Sequence, residues 1–149
     1  MKLAEALQER ADLNHRLEML RNRLSLNATM QEGEKPAEDP QKLLAEQDSC
    51  LARMEELIAQ INLTNSRTMA EGKTLTQWIA RRDVLKLRIQ SLGQMADCAS
   101  RIAQRATRGE IKILPTVDVP TLQKQLDDAG AELRRVDNLI QQQNWLTEL

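Results

Sequence analysis

An all-α fold of four long helices, arranged as antiparallel hairpins or a bundle, is what this sequence predicts, and three observations predict it. The first is an unbroken seven-residue repeat. Leu75, Trp78, Arg82, Leu85, Ile89, Leu92, Ala96, Ala99, Ala103 and Ala106 recur every third and fourth residue, apolar everywhere but at Arg82. A helix carrying that repeat is about 48 Å long at 1.5 Å per residue. The second is composition: there is no Phe or Tyr and only two Trp. Sheets draw on aromatic and β-branched residues, whereas the Leu, Ala, Gln, Arg and Glu used here are good helix formers. The third is the scarcity of chain breakers, five Gly and four Pro in 149 residues, which makes for long elements. A chain of this length is one domain by size, residues 1–149.

The elements follow in order. Residues 2–27 form the first helix, with Leu3, Ala6, Arg10, Leu13, Leu17, Leu20 and Leu24 on one seam and Leu7 beside it. His15 falls off that seam and reads as solvated; a metal site needs several donors, and this is the one His in the chain. Residues 28–39 are an acidic loop holding Gly33, Pro36, Glu32, Glu34, Glu38 and Asp39. Asp39 before Pro40 is a helix start: the carboxylate caps free N–H groups and Pro suits the first helical position. The second helix runs over residues 40–67 with a broad apolar face of Leu43, Leu44, Cys50, Leu51, Met54, Leu57, Ile58 and Ile61. Asn65, Ser66, Thr68, Gly72 and Lys73 mark a turn.

Thr74 opens the third helix, residues 75–107, with a capping box that Gln77 completes. Its alanine seam of Ala96, Ala99, Ala103 and Ala106 lets a neighbouring backbone come close. Residues 108–118 are an extended connector, and near 110–117 the chain alternates in a β-like way, although Pro115 confines any strand there to a short or edge one. Asp118 is placed to cap the last helix, residues 119–143, whose seam is Val119, Leu122, Leu126, Ala129, Leu133, Val136 and Ile140. Trp145 so close to the end implies a docked terminus.

Charge and motif content exclude several functions. The net charge of −1 does not favour a nucleic-acid partner. The start, MKLAEALQER, has no apolar signal core and no run reaches membrane-spanning length, so the expected place is the cytoplasm and no membrane partner is expected. Cys50 and Cys98 lack zinc-site spacing and read as reduced core thiols. Di-iron bundles repeat Glu-x-x-His pairs, and here Asp12-x-x-His15 stands alone. Magnesium-dependent all-α hydrolases need carboxylates one turn apart on two helices, and Glu9-x-x-Asp12 has no second such pair. There is no Gly-rich phosphate loop. No enzyme, no cofactor and no metal is therefore expected.

Charge is unevenly spread. Residues 74–108 carry seven Lys or Arg against two Asp, while residues 28–48 carry two Lys against six acids. The basic helix is expected beside acidic neighbours. One polar constellation stands out: Asn62 and Asn65 (with Thr64) at the end of one helix, and Arg81, Arg82 and Asp83 near the start of the next. A guanidinium at an inward seam position needs partners. Two readings are open, an internal network that fixes register and a pocket for a small anionic ligand or a hydrolytic reaction.

The segments at 30–40 (MQEGEKPAEDP), 61–65 (INLTN), 75–84 (LTQWIARRDV), 110–119 (EIKILPTVDV) and 144–149 (NWLTEL) together resemble the septicolysin-like family of small bacterial helical proteins. The resemblance covers the whole chain and brings no catalytic residues with it. It implies a pore-forming, haemolysin-like toxin. The residues themselves favour a cytosolic helical protein that self-associates and acts as an interaction or structural module. The homo-oligomer is expected through the unpaired stretch from Ile111 to Leu114 and through the alanine seam.

Overall fold

The computed structural model describes residues 1–101 and 111–149. Ala103 and Ala106, the expected end of the third helix at 107 and the connector's first residues, 108–110, lie outside them. The fold is all-α and of the helical-bundle class. Among the described residues it comprises α1 (Leu3–Leu26), α2 (Pro40–Arg67), a ribbon of β1 (Met69–Ala70) and β2 (Lys73–Thr74), α3 (Leu75–Ser100) and α4 (Val119–Leu146). The chain divides into two compact units, Met1–Thr68 with Gln143–Leu149, and Met69–Gln142.

In the first unit α2 starts where Asp39 and Pro40 place it. The Asp39 carboxylate accepts from the Gln41 N–H at 3.0 Å, with Pro at the start of the helix. Three ion pairs show the direction of the hairpin: Glu9 with Arg53 and Arg16 with Glu46 between the helices, and Arg23 with Glu38 just before α2. Numbers rise along α1 as they fall along α2, so the two helices are antiparallel. Leu20, Leu43 and Cys50 form a buried cluster with half-buried Leu13, Leu17 and Leu24 around it. Full burial of a leucine such as Leu20 or Leu57 contributes about 1.5–3 kcal/mol. Asn27 closes the acidic loop. Its side-chain amide donates to the Arg23 carbonyl at 2.9 Å, and its side-chain oxygen accepts from the Glu38 N–H at 2.9 Å. Of the loop acids, Glu38 thus serves closure and Asp39 capping. The chain ends are clasped: Leu3 N–H donates to the Thr147 carbonyl and Leu149 N–H to the Met1 carbonyl, both at 2.9 Å.

In the second unit Thr74 and Gln77 form the expected capping box, with Gln77 N–H on the Thr74 hydroxyl at 3.2 Å and Thr74 N–H on the Gln77 side chain at 2.9 Å. The turn before it is a two-residue hairpin. Met69 pairs with Thr74 and Ala70 with Lys73, and Glu71 and Gly72 both have positive φ, 46° and 79°. Sequence reading placed a turn here but no strands. It placed its β-like stretch near 110–117 instead, and residues 111–118 contain no strand. The reason is physical: this run contains Pro115, and a strand needs a partner to take up its backbone groups. Ala70, Trp78, Leu85, Val136, Leu139 and Ile140 make the core of this unit. Every described seam position of α3 from Leu75 to Ala99 is buried or half-buried. Helix α4 continues to Leu146, three residues beyond the expected 143. At its start the Asp118 carboxylate accepts from the Thr121 hydroxyl.

Candidate interaction surface

Helix α2 has two apolar stripes where sequence reading saw one broad face. The inner one, Leu43, Cys50, Met54, Leu57 and Ile61, is buried. Leu44, Leu51 and Ile58, spaced by seven residues and turned roughly a quarter of the way round the helix, remain 42%, 47% and 42% exposed. Helix α3 repeats the pattern. Outside its filled seam, Val84, Leu87 and Met95 are 57%, 66% and 44% exposed. Single exposed leucines are ordinary; two ordered rows of large side chains are not required by the hairpins they sit on. Ile111, Ile113 and Leu114 are exposed as well. Ala96 is buried and Ala99 half-buried.

Cys50 is buried as expected, but Cys98 is exposed. The seam of α3 passes through positions 96 and 99, which turns position 98 outward. His15 is exposed.

The five residues of the polar constellation fall in different units. Asn62 is exposed and Asn65 half-buried on α2, in the first; Arg81, Arg82 and Asp83 lie on α3, in the second. Arg81 donates from Nε and Nη2 to Glu132 Oε1 at 3.0 and 2.7 Å. Arg82 is half-buried rather than sealed in the seam, and its guanidinium holds Asp83 Oδ1 at 2.9 and 2.8 Å. A long side chain can keep its stem partly buried while its charged end reaches a neighbour. Sequence reading could not find Glu132, which is 51 residues away from Arg81.

A shallow groove of about 390 Å³ in the first unit is lined by Glu5, Gln8, Glu9, Asp12 and Trp145. Each of its three carboxylates accepts a hydrogen bond from within the protein. Glu5 accepts from the Lys2 N–H at 2.7 Å, Asp12 from Gln8 at 2.9 Å and Glu9 from Arg53 at 2.7 Å. The Glu9–Arg53 pair ties α1 to α2 beside this groove.

A model of a family of unknown function, DUF6847, matches residues 10–149. Among solved structures, the crystal structure of a functionally unknown conserved protein from Corynebacterium diphtheriae is similar, with a TM-score of 0.93 and 39% identity over 100% of this chain and 98% of that one. No curated protein matches. These findings correct the resemblance to the septicolysin-like family: neither the family model nor the solved neighbour points to it. The segments that carried it include a helix cap at Asp39, the Gln77 member of the α3 capping box and the start of the α3 seam, features that serve a helical fold without marking an activity. The ground for a pore-forming toxin goes with it. Among the described residues no helix is long and apolar enough to cross a membrane.

Proposed function

We propose that this chain, which belongs to the DUF6847 family of unknown function, is a self-associating interaction module rather than a catalyst. The observation that carries the reading is the pair of exposed rows, Leu44, Leu51 and Ile58 on α2 and Val84, Leu87 and Met95 on α3, on helices whose inner seams are already filled. Burying such rows against another surface removes apolar area from water at roughly 25 cal/mol per Å². The cytoplasm is the compartment in which an exposed thiol such as Cys98 stays reduced. The ligand-pocket reading of Arg81, Arg82 and Asp83 is not carried forward, because both guanidinium groups are already bound to the protein's own carboxylates. Sedimentation velocity at micromolar concentration tests the proposal. A species larger than the 17.0 kDa monomer is expected, and a monomer at every concentration overturns it.

A further inference from the structure

We infer that the α2 row of one copy packs against the α3 row of a second copy. This rests on the self-association reading and names its surface. The rows are of similar length, about 21 Å from Leu44 to Ile58 and about 17 Å from Val84 to Met95 at 1.5 Å per residue.

Charge selects the pairing. Asp48 and Glu55 run along the outer edge of the α2 row, one turn from Leu44 and Leu51. Among the described residues neither enters an ion pair. In an antiparallel helix pair related by a two-fold axis, the same flank of each helix meets its own image. Two α2 rows face to face would therefore bring four carboxylates together. Two α3 rows face to face would do the same with Arg88, which lies one turn after Val84 and beside Leu87 and likewise enters no ion pair among the described residues. Each row is thus mismatched to itself and matched to the other: apolar on apolar, with carboxylates on one flank meeting a guanidinium. Flanking charges of this kind set partner and orientation more than affinity. Over its described length α3 carries Arg81, Arg82, Lys86 and Arg88 against Asp83 and Asp97, so its wider field has the sign that the α2 flank needs.

Charge reversal in the full chain tests this. Asp48→Arg with Glu55→Arg, and separately Arg88→Glu, are surface changes, and circular dichroism checks that each variant keeps its helix content. Sedimentation equilibrium should show at least a tenfold weaker association for each reversal alone. Association should return toward the original when all three substitutions are combined, because the guanidinium groups introduced on the α2 flank then meet the carboxylate introduced on α3 of the second copy. Weakening without return, or association indifferent to all three, overturns this pairing while leaving self-association standing; the stretch from Ile111 to Leu114 would then be the contact to examine. A parent chain that is monomeric throughout removes both readings.

Discussion

Trp78 has its indole Nε1–H on the Ala70 carbonyl at 2.8 Å, with Lys73 Nζ 4.9 Å and the Arg135 guanidinium 5.3 Å from the ring centroid. One side chain therefore fills the core of its unit, satisfies a backbone group of the ribbon and offers a face to two cations. Trp78→Phe keeps most of the apolar contact and removes one of two donors to the Ala70 carbonyl, which keeps its ladder partner Lys73. Unfolding in urea should show a loss of about 0.5–1.5 kcal/mol, and a change within error would mean that the hydrogen bond contributes nothing net. At this scale the seam assignment of Trp78 was legible from spacing alone, because a seven-residue repeat specifies direction. Its partners were not: Arg135 lies far along the chain, and no periodicity links it to position 78. Cys98 teaches the complement. Its residue type suggested burial, but its register, two past Ala96 and one before Ala99, points it outward.

The hairpin between α2 and α3 is the element on which local chemistry has most to say. Glu71 and Gly72 both occupy positive φ. Gly does so without steric cost, and any residue with a Cβ is strained there even though open space surrounds Gly72. Gly72→Ala should destabilise the protein by about 1–2 kcal/mol, read from the urea midpoint. Asp39→Ala, which removes the cap of α2, should cost about 1 kcal/mol. Starts of helices were the most legible features: Asp39 with Pro40 and Thr74 with Gln77 announce themselves because capping is chemistry within four residues. Strands were the least legible. Two residues per strand leave no alternation to detect, and Glu71 is not the Asn or Gly that advertises such a turn. The alternating run near 110–117 has the composition of a strand, but its described residues, 111–117, form none. The double apolar face of α2 was visible as apolar residues, but which row is covered depends on where α1 lies. The same holds for the candidate surface as a whole: residue types and spacing were readable, and exposure was not.

At the scale of the whole molecule, the carboxylates held below the usual range gather, among the described residues, in one unit. Hydrogen bonds from Arg53 keep Glu9 below the ordinary value of 4.5. Arg23 does the same for Glu38, and Lys2 followed by the Met1 amino group does so for Glu148. All three lie in Met1–Thr68 or Gln143–Leu149. A carboxylate whose pKa is lower in the folded chain than in the unfolded one adds stability above its unfolded value, and that stability disappears as pH falls through the folded value. The chain should therefore be most stable against urea near neutrality and lose stability as pH drops below about 4.5. The midpoint at about pH 3 should lie below that at about pH 7. Glu9→Gln, Glu38→Gln and Glu148→Gln combined remove the groups that titrate while keeping a polar side chain in each place. Near neutrality that variant should be the less stable of the two. Its midpoint should change less on acidification, and the two proteins should converge at the acid end, where the parent's carboxylates are protonated. Parallel pH profiles for parent and variant would show that these ion pairs, exposed as they are, contribute nothing measurable. Acid lability would then have to come from net charge building up over the whole chain.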